Sequence, residues 1–159
     1  MTSTDMSTQT DARSFAGEES FAASADRTFA ALIDPDVLAQ CIPDLVSSKR
    51  VDDHTLQCTV KPGFSFIRAK LKMTVVLNEI DPAQRSAVID ITSKGIGTSM
   101  NVQCRLAVTG QEGRSRVVWK ANIAQLSGLI AAVSPALIRG AADKVIQDGW
   151  SSLRPIVEK

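Results

Sequence analysis

The chain has no tyrosine, one histidine and three cysteines among its 159 residues. Each scarcity excludes something. The cysteines stand far apart, at Cys41, Cys58 and Cys104, with no Cys-x-x-Cys pair, which argues against a disulfide framework or a structural zinc. The one histidine, His54, sits beside Asp52 and Asp53 in what reads as a turn, so a Cys–His catalytic pair has no obvious member. No metal site or cofactor is expected. An excess of charge is also missing. Lys plus Arg total 18 against 17 Asp plus Glu, a net charge of +1, which gives no electrostatic case for nucleic acid as a partner. No apolar run is long enough to span a bilayer. The first twelve residues, MTSTDMSTQTDA, are polar and lack the apolar core of a signal peptide. They predict a disordered tail over 1–12, a single domain over 13–159 and a cytoplasmic location.

What is present is an apolar content of 44% with two rhythms. From Thr55 to Ile123 apolar residues recur at every second position. From Leu129 to Ile156 they recur at helical spacing. A first strand over Ser14 to Ala22 sets Phe15, Gly17, Glu19 and Phe21 on one face. Asp26 is the expected N-cap of a helix through Phe29, Leu32 and Ile33. Asp34-Pro35 opens a second short helix that Pro43 ends. Leu45 to Val51 reads as an edge strand. Alternation then places Leu56, Cys58 and Val60 inward, followed by Ile67, Ala69, Leu71, Met73, Val75 and Leu77. Ala87, Ile89 and Ile91 come next, then Met100 to Val108, then Val117, Trp119, Ala121 and Ile123. The last helix starts near Ser127, or at Ser134-Pro135. Its inner stripe is Ile138, Ala142, Val145, Gly149, Leu153 and Ile156. The expected fold is α+β: a curved antiparallel sheet of six to seven strands around a long C-terminal helix, with two short helices after the first strand. One main helix over so large a sheet is expected to leave an apolar cavity, and a cavity points to binding before catalysis.

This order resembles the helix grip of the START/Bet v 1-like (SRPBCC) superfamily. The phrase from Ala25 to Pro43, with its aromatic Phe29, Leu-Ile-Asp-Pro and Cys41-Ile42-Pro43, is similar to the branch named for the G subunit of carbon monoxide dehydrogenase. One departure stands out. The family usually follows Cys-Ile-Pro with Gly, and here Asp44 is present. The resemblance implies binding of a lipid-like or quinone-like molecule, as an accessory to a molybdenum-containing dehydrogenase or its membrane electron transfer. A peripheral position at the inner membrane face goes with that role.

Candidate ligand contacts are Leu71, Met73, Ile89, Met100, Val102, Trp119, Ile138, Ala142 and Val145, with Glu19 and Ser134 as polar groups that orient the ligand. Glu19 shares the parity of Phe15 and Phe21, so it either projects into the cavity or is turned to water by a bulge at Gly17. Phe64 and Phe66, beside Arg68, Lys70 and Lys72, are candidates for contact with a membrane or a protein partner. Two rival readings stay open. A cyclase- or hydratase-like enzyme on the same scaffold needs an acid–base pair in the cavity, and Glu19 is its one inward carboxylate. An interaction module with a collapsed cavity needs only the hairpin.

Overall fold

The computed structural model describes residues 13–63 and 70–159. Residues 1–12 and, with them, Phe64, Phe66, Ile67, Arg68 and Ala69 lie outside them. Seven strands form one sheet: β1 (Ser14–Phe21), β2 (Leu45–Asp52), β3 (Thr55–Val60), β4 (Leu71–Asp81), β5 (Ser86–Gly95), β6 (Thr98–Gln111) and β7 (Arg114–Gly128). Their order across the sheet is β1-β7-β6-β5-β4-β3-β2, with every neighbour antiparallel. Helices α1 (Ala25–Leu32) and α2 (Pro35–Cys41) follow β1. A short 3-10 turn (Leu129–Ala132) leads into the long helix α3 (Pro135–Val157). This is the expected helix-grip α+β architecture, with β2 on an edge.

Local chemistry explains the helix starts. Asp34 caps α2 by accepting from the Asp36 amide at 2.9 Å, and Pro35 occupies the first turn. Ser134 caps α3 in the same way, accepting from the Leu137 amide at 3.3 Å, so the helix begins at the later of its two expected starts. Ser134 is exposed, and its hydroxyl serves as the cap of α3. The cap of α1 is Ser24 rather than Asp26. Asp26 lies in the first turn and pairs with Arg85 at 2.7 Å.

The alternation places the core as read. Phe15, Phe21, Leu56, Cys58, Val75, Leu77, Ile89, Leu106, Val117 and Trp119 are all buried. Register shifts bend the sheet, one of them between Asn101 and Val102 where β6 meets β7. A close approach binds β1 to its neighbour. A Cβ on Gly17 would stand 2.9 Å from Trp119 Cζ2, so the bare glycine lets the indole lie against the strand. Along α3 the small residues serve differently. A Cβ at Gly149 would meet the Cys41 carbonyl at an ordinary 3.8 Å, so α3 runs close to the end of α2 there, while Gly140 faces open space.

Asp44, the departure from the family phrase, has φ of 59°. The left-handed region is open to glycine and costs other residues, Asp and Asn least. Two outcomes are expected in chemical denaturation. Asp44→Val should be about 1–2 kcal/mol less stable than Asp44→Gly, because a β-branched side chain resists that conformation most. Gly17→Ala should destabilise by roughly 1–3 kcal/mol and shift tryptophan emission, because the indole must move.

Candidate functional site: a half-covered concave face

Among the described residues, the concave face of the sheet is closely covered at one end, the closed end, and less covered at the other, the open end. At the closed end, where α1 packs, Ala87, Leu106, Val108 and Val117 are buried. Toward the other end and in the middle, Met73, Ile91, Met100, Val102, Cys104, Ala121 and Leu126 pack against the core but are only half-buried. Ala142, Ile146 and Trp150 on the facing side of α3 are half-buried too. Among the described residues, apolar surface therefore remains only partly covered on the concave face.

The expected contacts divide accordingly. Leu71, Ile89, Trp119 and Ile138 are buried walls, with Trp119 6% exposed. Met73, Met100, Val102 and Ala142 border the uncovered region. Val145 does not belong there. It is 42% exposed, and Ile146 packs on the core in its place, so the inner stripe of α3 is rotated by one position at that turn. Trp150 approaches Trp119 with ring centroids 6.0 Å apart and Phe21 at 6.1 Å. The Trp119 indole Nε1 is buried without a hydrogen-bond partner among the described residues, a cost of about 1–3 kcal/mol that apolar packing must offset.

Glu19 has the inward parity and is half-buried, but it does not stand free. Its Oε1 accepts from Arg154 Nη2 at 2.9 Å, and the Arg154 guanidinium lies 4.7 Å from the Phe21 ring centroid. On the other edge Arg50, opposite Leu56 in the register, reaches across to Asp36 at 2.7 Å. These inward ionisable groups sit at opposite edges of the sheet and are each neutralised by a helix. Asp90, which alternates with the inward Ile89 and Ile91, accepts from Asn78 and from Gln103 Nε2 at 3.0 Å on the convex face. Among the described residues no group of three or more His, Cys, Asp and Glu side chains could hold a metal ion. No helix among them is long and apolar enough to cross a membrane. Phe64 and Phe66 lie outside the described residues.

A separate groove of about 400 Å³ opens at the closed end, lined by residues 20–22, 109–111 and 114–116. It contains none of the expected contacts. Sequence reasoning missed Ile91 and Ala121 as bordering residues, although their alternation was visible. It also missed Arg50, whose partner lies on a helix.

The family model described as the carbon monoxide dehydrogenase G subunit (CoxG) matches residues 17–157. No curated protein matches the chain by sequence. Solved structures share the fold. A conserved protein from Geobacillus kaustophilus is 15% identical, with 91% of this chain and 94% of that chain covered and a TM-score of 0.81. A START superfamily protein from Mycobacterium smegmatis is 12% identical, with coverage of 91% and 97% and a TM-score of 0.66. The Zhui aromatase/cyclase from Streptomyces sp. R1128 is 15% identical, with coverage of 91% and 90% and a TM-score of 0.60.

Burial pushes the Cys104 and Cys41 thiols up from 9.0 to about 11, and raises Cys58 as well. Between these values the unfolded chain has released protons that the folded chain still holds. Folding stability should therefore fall as pH rises from about 9 to 11. Cys104→Ala should flatten that slope in denaturation curves taken at pH 8 and pH 10.5. An unchanged slope would remove the burial argument.

Proposed function

Because the chain belongs to the CoxG family, named for the G subunit of carbon monoxide dehydrogenase, we propose that it is a carrier that takes up a hydrophobic small molecule, lipid-like or quinone-like, between the sheet and α3. The observation that carries this reading is the uncovered apolar surface at Met73, Met100, Val102 and Ala142, walled by Leu71, Ile89, Trp119 and Ile138. Burial would supply most of the affinity, at about 25 cal/mol per Å² of apolar surface removed from water. In this reading Glu19, paired with Arg154 and opposite Val117 at the closed end, bounds the site rather than lining its centre. The reading includes a cytoplasmic location and an accessory role to a molybdenum-containing dehydrogenase or its membrane electron transfer. Family membership supports that role.

An enzymatic reading is less well supported. One protein of the same fold is an aromatase/cyclase. General acid–base work needs two ionisable groups within reach of one substrate. Here Glu19 and Arg50 are committed to ion pairs on opposite edges. The inward Cys58 and Cys104 have thiols pushed up by burial, which suppresses the reactive thiolate.

Native mass spectrometry of protein purified from its own host should reveal a bound apolar species, identifiable after solvent extraction. Val102→Trp should fill the space and remove that species while the protein stays folded. The occupant should also slow alkylation of Cys104, which lies between Ile89 and Ala121 in the register. An empty protein whose Cys104 is alkylated at the same rate with and without added quinone or lipid would end the carrier reading.

A further inference from the structure

The groove at the closed end plays no part in the carrier reading, yet strand pairing gathers a definite set of donors along it. Ser20 of β1, Arg116 of β7 and Thr109 of β6 lie opposite one another in one row across three strands. Arg114 and Gln111 face each other two residues further on. All five line the groove. They are exposed, and they alternate with the buried Phe21, Val108, Ser115 and Val117, so they stand on the solvent side of the sheet. The two arginines are rooted about 7 Å apart, the spacing of residues i and i+2 on one face of a strand. The backbone beneath them is fixed. Ser115, between them, is buried, and its hydroxyl lies 2.7 Å from that of Thr28 on α1. A Cβ on Gly110 would collide with the Arg114 carbonyl, so the bare glycine lets β6 lie close against β7.

The guanidinium groups are poorly neutralised. Arg116 pairs with Glu18 at 3.5 Å, with both side chains more than half exposed, and such a pair holds weakly. Among the described residues the Arg114 guanidinium makes no ion pair or hydrogen bond. Two further acids lie near. The Glu158 carboxylate is taken up by the Ala22 amide and by Arg154. Glu112 is exposed in the turn that joins β6 to β7. One guanidinium fork satisfies the two oxygens of a carboxylate. This groove offers two forks, a hydroxyl from each side and an amide. That surplus suits a phosphate monoester, with its charge near −2 and three acceptor oxygens. At about 400 Å³ the groove has the size of a small-molecule site, so it also has room for an organic part beside Phe21 and Ala22. A bilayer suits it less. Ile96, Leu129 and Leu137, which are 85%, 72% and 56% exposed, sit at the open end, where Gly95 pairs with Thr98 and Thr98 with Gly128.

We infer that Arg114 and Arg116, with Ser20, Thr109 and Gln111, form a binding site for the phosphate group of a small soluble phosphate monoester. The site is separate from the concave face and does not depend on the carrier reading.

Titration calorimetry of the full chain with phenyl phosphate, in phosphate-free buffer, tests the site. Saturable binding at one site is expected, tighter than that of inorganic phosphate, because the groove exceeds the anion. It should weaken as salt rises, and again below about pH 6, where the dianion takes up a proton. Arg114→Gln and Arg116→Gln should each weaken binding about tenfold, and Thr109→Val about threefold. Lys120→Gln and Arg105→Gln, exposed on the same face outside the groove, should bind as wild type does. The melting temperature of every unliganded variant should stay at the wild-type value, because all these side chains are exposed. Wild type that shows no saturable binding would overturn the proposal, as would an Arg114→Gln variant that binds normally. Equal losses in the Lys120 and Arg114 variants would reduce the effect to diffuse charge and overturn it too. So would binding confined to vesicles of phosphatidic acid, or a preference for a glutamate-rich peptide over phenyl phosphate.

Discussion

The arrangement depends on how α3 is fastened at its C-terminal end. Arg27 Nε donates to the Val157 carbonyl at 2.7 Å, and its Nη2 to the Lys159 carbonyl at 3.1 Å. The Glu158 carboxylate accepts from the Ala22 amide at 2.8 Å. Arg154 donates to Glu19 and to the Ser20 carbonyl. The bond from Arg27 to Val157 satisfies a carbonyl that the helix end leaves without an intrahelical partner, and all of these bonds involve a charged group, which makes them stronger than neutral ones. Val157 and Leu153 are buried beneath them. Among the described residues α3 is held at its other end by fewer polar contacts, one of them Arg139 Nη1 on the Ser14 carbonyl at 3.0 Å. A helix secured at one end over a curved sheet closes that end and leaves the other less tightly packed.

The gradient of burial follows from this. Where the helix is clamped, the inward strand residues reach core-like burial, as Val117 and Val108 do. Where it is not, Met73, Met100 and Leu126 keep accessible surface. Two of these three are methionines, whose flexible thioether side chains adapt to irregular space. The family, the fold and the position of the uncovered surface therefore point the same way, although fold alone never assigns a ligand.

Much of the fold was legible because alternation is a local signal. Leu56, Cys58 and Val60 declare their face without reference to anything distant. Asp34-Pro35 declares a helix start within three residues. What was not legible depended on distant partners. Ser24 and Asp26 are both plausible caps. The choice between them rests on backbone conformation and on Arg85, 59 positions away. Glu19 could be given its face but not its partner Arg154, 135 positions on. Val145 fell on the predicted stripe because helical spacing fixes the inner face only to within a position, and the curved sheet selects Ile146. Ile96 had a signal that went unused: a bulky apolar residue between two glycines has no neighbour in sequence to bury it.

The aromatic side chains have a further consequence. The chain has no tyrosine, and its two tryptophans stand with ring centroids 6.0 Å apart against the inner wall. Ultraviolet emission excited at long wavelength thus arises from one location. Two indoles at that separation and tilt also couple optically through their strong transition, so the far-ultraviolet dichroism should carry a paired band rather than a sum of independent chromophores. The molecule carries an intrinsic reporter at the lining of its concavity, and no label is needed to watch that place fill or empty.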